Sequence, residues 1–187
     1  MSSGKGGIYI ISAPSGTGKG AVINCLLERC PELVFSISAT TRAPRADEID
    51  GVSYHFVSRE RFLEMIKCNE FLEYAEYVGE FYGTPKTPIY NYLDSGKNIL
   101  LDIDVEGARQ VKEKEPESVS IFIIPPDMQE LENRLRGRGT DSEEKLAARL
   151  ERANIEIMEK DKYDHVVVND YVSRAAEEIL SIILERN

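Results

Sequence analysis

The sequence has few of the residues that build metal centres and disulfide frameworks. Its 187 residues include only three cysteines and two histidines. Cys25, Cys30 and Cys68 form no Cys-x-x-Cys pair, and His55 and His165 do not cluster with them. This pattern argues against a disulfide scaffold and against a cysteine–histidine metal cage.

Long apolar runs and an excess of positive charge are also missing. No apolar run approaches the roughly 20 residues of a membrane span, and the first seven residues have no apolar stretch typical of an export signal. We therefore expect a cytoplasmic protein with no membrane partner. The net charge of −10 argues against general nucleic-acid binding, since nucleic acids bind basic surfaces. Any phosphate binding must then be local.

A glycine-rich turn follows the first apolar run. Residues 8–12 predict a buried strand, and the residues up to Ala21 read Ala-Pro-Ser-Gly-Thr-Gly-Lys-Gly-Ala. Inward-facing backbone N–H groups, Lys19 and the N-terminus of an amphipathic helix predict a phosphate-binding loop. Ala13 replaces the usual first glycine, and neither Gly20 nor Ala21 carries the hydroxyl that binds Mg²⁺ in such loops. A strand-to-helix turn without a ligand is the alternative.

Arginines concentrate in two places, of which the first is the segment 36–45. There Pro44 stiffens a loop that carries Arg42 and Arg45 close to Ser38. Two guanidinium groups beside hydroxyls are typical of a site for a monophosphate. A solvated surface loop is the alternative interpretation.

The second arginine-rich segment predicts two successive helices. Asp127 with Glu130, and Thr140 with Glu143, resemble capping boxes, and Gly137 lies at the break between the helices. Such a hairpin is typical of a hinged lid, although a basic helix pair is also a common surface feature.

Three arginines of this predicted lid are candidates for catalysis. Arg134 and Arg138 lie four residues apart, and Arg149 lies on the second helix. Arginines on the inner face of a lid neutralise charge that develops on a transferring phosphoryl group.

Two carboxylates end a further predicted strand at 97–104. Asp102 and Asp104 fall on the same side of this strand, because side chains alternate. The carboxyl ends of parallel strands face ligand crevices, so Asp102 is a candidate to hold Mg²⁺, directly or through water. A cap for the next helix is the alternative.

These motifs together resemble the guanylate kinase family over essentially the full length of the chain. They occur in the family's order, at residues 12–20, 38–45, 51–56, 70–75, 82–84, 101–104, 134–139 and 166–170.

The resemblance implies an α/β fold of the P-loop nucleoside monophosphate kinase type, in a single domain over residues 1–187. A parallel-sheet core would take about 1–35, 96–125 and 156–187. A GMP-binding subdomain would take about 36–95, and a helical lid about 126–155.

The same resemblance implies transfer of the γ-phosphoryl group of ATP to GMP or dGMP, with Mg²⁺, by a monomer or small homo-oligomer. The implied catalytic residues are Lys19, Arg42, Arg134, Arg138 and Arg149. The implied ATP-binding residues are Ala13, Pro14, Ser15, Gly16, Thr17, Gly18, Lys19, Gly20, Ala21, Arg134, Arg138 and Asn169. The implied GMP-binding residues are Ser38, Arg42, Arg45, Tyr54, Glu73, Tyr82, Gly83, Thr84, Asp102 and Asp104, and the implied metal-binding residue is Asp102.

Two other functions compete with this interpretation. A kinase-like module that binds protein partners without catalysis is favoured only by Ala21. A nucleoside-triphosphate hydrolase would need a group that orients water, and the sequence nominates none.

Overall fold

The computed structural model describes residues 6–137 and 142–186. The strands are β1 (Ile8–Ser12), β2 (Val34–Phe35), β3 (Ala39–Thr40), β4 (His55–Phe56), β5 (Phe71–Tyr77), β6 (Glu80–Pro85), β7 (Ile99–Asp102), β8 (Val119–Ile124) and β9 (His165–Val168). The helices are α1 (Lys19–Arg29), α2 (Arg59–Lys67), α3 (Lys86–Asp94), α4 (Val105–Lys114), α5 (Met128–Gly137), α6 (Glu143–Ile157) and α7 (Val172–Glu185), with a 3₁₀ turn at Met158–Lys162.

The chain divides into two compact units. Of the described residues, the first contains 6–8, Leu33–Leu101 and Glu106–Ser118. The second contains Tyr9–Glu32, Asp102–Val105, 119–137 and 142–186.

A parallel sheet forms the centre of the second unit. β8 pairs in parallel with both β1 and β9, and it is buried over five of its six residues. Strands buried on both faces read as continuous apolar runs, which is why the sequence predicts them well. Helix α1 packs against α7, which turns Ala175, Ala176, Ile179 and Ile183 inward. The predicted parallel α/β core is thereby confirmed.

Helices α5 and α6 have a small apolar core of their own. Leu131, Leu135, Leu146 and Ala153 are buried together there. As predicted, the Asp127 carboxylate accepts the N–H of Glu130 at 2.7 Å.

The remaining capping predictions for this helix pair are wrong in detail. The Glu130 carboxylate accepts a hydrogen bond from Arg134 Nε. In a capping box it would instead accept the backbone N–H of the N-cap residue. Helix α6 is capped by Ser142, whose hydroxyl accepts the N–H of Lys145, so the box predicted from Thr140 does not begin this helix; Thr140 itself lies outside the described residues.

The first unit contains a mixed four-stranded sheet in the order β4-β3-β6-β5. β3 is parallel to β4 and antiparallel to β6, and β5 is antiparallel to β6. Helix α2, which sequence patterning did not predict, packs Phe62 on the ring of Phe71 at a centroid distance of 4.4 Å. The parallel pair of β2 and β7 belongs to the same unit.

The strand predicted for residues 97–104 is shorter in the structure. β7 ends at Asp102, and α4 begins at Val105. Asp104 therefore lies in the connection that enters α4, and strand alternation does not place it beside Asp102.

Among the described residues, no helix is both long enough and apolar enough to cross a bilayer.

The tip of the β5–β6 hairpin carries backbone strain. Tyr77 pairs with Glu80, so Val78 and Gly79 form a two-residue turn with φ values of 53° and 80°. Two positive φ values are typical of a type I′ turn, in which asparagine followed by glycine is the preferred sequence. A β-branched residue is strained there, and the Val78 side chain is 83% exposed, so it contributes little packing.

Replacing this valine by asparagine is expected to stabilise the protein. Val78→Asn relieves the strain and should raise the free energy of unfolding by about 1 kcal/mol, measured by urea denaturation. Val52→Asn is the matched control, because Val52 is also exposed but has no positive φ. Equal effects of the two substitutions would contradict the role of backbone strain.

Candidate functional site

The predicted phosphate-binding loop runs from the end of β1 to the start of α1. Gly16 and Gly18 both have a φ of 90°, and Gly18 is the N-cap of α1. A Cβ atom on Gly18 would lie 2.8 Å from Asn169 Nδ2, and one on Gly16 would lie 2.6 Å from Leu135 Cδ2. Both glycines are therefore required by their positive φ values, and a Cβ at either position would also displace the end of a neighbouring side chain.

Thr17 is the best-anchored residue of this loop. Its buried hydroxyl donates to Pro14 O at 2.7 Å. Its carbonyl oxygen accepts from Asn169 Nδ2 at 2.7 Å and from Arg134 Nη1 at 3.0 Å. The loop is thus fixed from within and from two elements that come much later in the sequence.

Arg134 is already engaged at three of its nitrogens. Besides the bond to Thr17, Nη2 donates to Asn169 O at 3.0 Å, and Nε donates to Glu130 at 2.8 Å. A guanidinium has five N–H donors, so one donor on Nη1 and one on Nη2 remain beyond these bonds within the described residues. The side chain both ties α5 to the loop and retains capacity for an anion.

Lys19 forms an ion pair with Asp102 across 2.5 Å. Both side chains are partly exposed, at 24% and 31%. The loop that follows Asp102 is held by Ser12, whose buried hydroxyl donates to Ile103 O at 2.8 Å. Asp104 is exposed. A lysine and a carboxylate therefore stand together at the start of α1.

The first turn of α1 has no hydroxyl. Gly20 and Ala21 are both exposed, and a Cβ on Gly20 would have open space around it. In the described part of the chain, no group of three or more His, Cys, Asp or Glu side chains is arranged to hold a metal ion. Asp102 is thus a single carboxylate, as in Mg²⁺ sites where substrate phosphates and water complete the coordination.

The arginine loop of the first unit is organised by Glu48. This carboxylate accepts from Arg42 Nη1 at 2.9 Å, from Arg42 Nη2 at 2.8 Å and from the backbone N–H of Arg45 at 2.8 Å. These bonds hold the pKa of Glu48 at about 2, with the Arg42 guanidinium as the largest cause. The Arg45 side chain is 72% exposed.

Aromatic rings surround the same guanidinium. Arg42 Cζ lies 5.5 Å from the centroid of Tyr54 and 5.9 Å from that of Phe56. Glu48, and to a smaller extent the Tyr82 hydroxyl, raise the pKa of Arg42 above its usual value. Ser38 is half-buried immediately before β3. The structure therefore brings Arg42, Tyr54 and Tyr82 together.

Glu73 and Thr84 form a buried polar pair between β5 and β6. The Thr84 hydroxyl donates to Glu73 Oε1 at 2.6 Å. Glu73 is 4% exposed and Thr84 is fully buried, and Gly83 pairs with Tyr74 in the same ladder. Burial of a carboxylate lowers the free energy of unfolding unless hydrogen-bond donors surround it, so a buried carboxylate at this position is typical of a recognition site.

The remaining predicted residues have these positions. Arg149 is half-buried on α6, Asn169 is buried at the end of β9, and Asp102 and Asp104 belong to the unit of the phosphate loop. Arg138 lies outside the described residues.

Sequence reasoning missed Glu48, which a search for the carboxylate partner of two neighbouring arginines would have found.

The chain is similar to guanylate kinases over almost its full length. The family model described as guanylate kinase matches residues 5–186. A guanylate kinase from Nostoc is 51% identical over 93% of this chain and 87% of its own length, and one from Clostridium tetani is 52% identical over 96% and 86%. The crystal structure of guanylate kinase from Anaplasma phagocytophilum superposes with a TM-score of 0.80 at 38% identity, covering 97% of this chain and 86% of that one.

The Glu48 ion pair predicts a defined pH dependence of stability. Because the folded-state pKa of Glu48 is about 2, below its usual 4.5, the stability it contributes is fully present above pH 4.5 and is lost as the pH falls towards 2. Glu48→Gln should therefore lower the free energy of unfolding at pH 7, and the difference from the wild type should shrink between pH 4.5 and 2.

Urea denaturation at several pH values measures this difference. Asp47→Asn, at an exposed neighbouring position, is the control and should show a smaller effect at pH 7. A Glu48→Gln difference that stays constant down to pH 2 would refute the assignment.

Proposed function

Because the chain belongs to the guanylate kinase family, we propose that it transfers the γ-phosphoryl group of ATP to GMP or dGMP, forming ADP and GDP or dGDP. We place this activity in cytoplasmic purine nucleotide metabolism, carried out by a monomer or small homo-oligomer.

The observation that carries the proposal is the buried pair of Glu73 and Thr84. Guanine offers N–H donors at N1 and N2 beside the O6 acceptor, and a carboxylate next to a hydroxyl complements that edge. Adenine has no hydrogen on N1, so it would meet the carboxylate with a lone pair and leave buried polar groups mispaired. We assign base recognition to Glu73, Thr84 and Gly83.

The phosphate of GMP would bind at the arginine loop. Three of the five N–H donors of Arg42 bind Glu48 and the carbonyl of Ala43. The two others, Nε–H and the second Nη2–H, lie on one edge of the guanidinium and form a fork that suits phosphate oxygens, with the Tyr82 hydroxyl within hydrogen-bonding reach of the same guanidinium. Arg45, Ser38, Tyr54 and Tyr82 would complete this site.

ATP would bind at the phosphate loop, residues 13–21, with Asn169 and Arg134 behind it. Lys19 would neutralise the β- and γ-phosphates, and the two remaining N–H donors of Arg134 would act with Arg138 and Arg149 on the transferring group. Mg²⁺, held by the phosphates, water and Asp102, would supply further neutralisation of the phosphate charge. No general base is required, since a phosphate with a second pKa near 6 is largely dianionic near neutral pH.

Acceptor selectivity tests the proposed reaction. We expect ADP release from ATP and Mg²⁺ with GMP and dGMP, but not with AMP, UMP, CMP or without an acceptor. Glu73→Gln should lower kcat/KM for GMP about 100-fold, because an amide group then faces guanine N–H donors. Glu76→Gln, at an exposed position of the same strand, is the control.

Two results would overturn this assignment. Equal ADP release without an acceptor would indicate a hydrolase. Unchanged GMP turnover in Glu73→Gln would remove Glu73 from base recognition.

The alternative of a catalytically impaired interaction module depends on Ala21 and is tested separately. Ala21→Thr places a hydroxyl at the exposed first turn of α1, and we expect it to lower KM for MgATP about threefold to tenfold without changing KM for GMP. Ala21→Val has the same shape without the hydroxyl and should have no such effect.

The outcome distinguishes the two functions. If the wild type binds GMP without turnover and Ala21→Thr restores turnover, the interaction module becomes the better description. If Ala21→Thr behaves like Ala21→Val in an active wild type, the missing hydroxyl has no role.

A further inference from the structure

β5 is the edge strand of the four-stranded sheet, and a helix satisfies its outer edge. In the order β4-β3-β6-β5, only β6 pairs with β5 among the described strands. On the other edge, the Tyr74 N–H donates to Gln110 Oε1 at 3.2 Å, and Gln110 Nε2 donates to Tyr74 O at 2.9 Å. The side-chain amide of Gln110 therefore makes the two hydrogen bonds that a peptide group of another strand would make with Tyr74.

A second residue of α4 binds the same edge one helical turn later. Lys114 Nζ donates to Leu72 O. Gln110 and Lys114 are four residues apart, which places them on one face of the helix. Together they bind the peptide groups on both sides of Glu73.

The strand is irregular at this point. Phe71 pairs with Pro85 and Glu73 pairs with Thr84, so Leu72 is an extra residue in the ladder. Phe71, Leu72 and Glu73 are consequently all buried, although regular alternation would expose one face. A bulge changes the direction in which the next side chain points, and here the next side chain is that of Glu73.

The Lys114 ammonium also acts electrostatically near this carboxylate. Burial and the charge of Lys86 lower the pKa of Lys114, while the charges of Glu73 and Glu113 oppose that shift. The Lys114 ammonium is therefore close enough to the Glu73 carboxylate to interact with its charge, and it also donates to the Leu72 carbonyl group beside it.

We propose that Gln110 and Lys114 are positioning residues for base recognition, which hold the bulge of β5 so that both oxygens of Glu73 meet the N1–H and N2–H donors of guanine. This proposal depends on the proposed role of Glu73 in binding GMP. In this proposal neither residue contacts the base: Gln110 acts through the backbone of β5, and Lys114 acts through that backbone and through its charge near Glu73.

Discrimination between GMP and IMP is the readout that isolates this role. Hypoxanthine lacks the N2 amine of guanine, so IMP keeps one of the two hydrogen bonds to the carboxylate. If Glu73 is held less firmly, the second hydrogen bond is lost first, and GMP loses its advantage over IMP. A general loss of stability would not change this ratio selectively.

The test compares Gln110→Leu and Lys114→Met with the wild type. We expect KM for GMP to rise about fivefold to tenfold and the ratio of kcat/KM for GMP over IMP to fall by a similar factor, with KM for ATP unchanged. Lys114→Arg keeps a cationic donor and should retain most of the wild-type ratio. Arg109→Met is the control on the same helix, because Arg109 donates to Glu106 and Glu113 of α4 and makes no hydrogen bond to β5 within the described residues.

Thermal unfolding of each variant separates positioning from folding. If Gln110→Leu does not fold, Gln110→Glu keeps one of the two hydrogen bonds and allows the same comparison. Folded variants with the wild-type ratio of GMP to IMP would overturn the proposal, as would an equal loss for GMP, IMP and ATP. A wild type that does not prefer GMP to AMP or IMP would refute the proposed function itself.

Discussion

A chain with a net charge of −10 that binds anions must first fix the positions of its few cations. In this structure the relevant cations are held by carboxylates: Lys19 by Asp102, Arg42 by Glu48 and Arg134 by Glu130. Each carboxylate binds some of the N–H donors of its partner and thereby fixes the direction of the remaining N–H donors. The protein therefore keeps cations near its surface in defined positions, although its overall field repels nucleotides.

In the proposed function the two units bind anions in different ways. The phosphate loop would offer backbone N–H groups and a helix N-terminus, and the glycines that allow this geometry are required by positive φ values. The arginine loop would offer side-chain forks, and its geometry depends on a carboxylate in the same loop. The first solution tolerates little change in backbone shape, whereas the second depends on one side-chain partner.

Sequence patterning predicted the features that depend on local or strongly periodic signals. β1, β8, β9 and α7 follow from apolar runs and a helical repeat, and the phosphate loop follows from its spacing of glycines and lysine. Other features had no local signal. Gln110 and Lys114 act through contacts that only the folded chain creates, across 36 and 42 residues. Glu48 differs from them, because it lies only six residues from Arg42 and a local search for its partner would have found it. Helix α2, the early end of β7 and the Ser142 cap were missed because element boundaries depend on tertiary packing.

The contact between Gly18 and Asn169 limits how the sequence can vary in evolution. A side chain at position 18 would meet the amide of Asn169, and it would also require a left-handed backbone conformation. These two constraints are independent, so a smaller residue at position 169 would remove only one of them. Such a change would also take away the hydrogen bond from Asn169 to Thr17. A substitution of Gly18 therefore remains strained by its backbone conformation even when the neighbouring amide is removed.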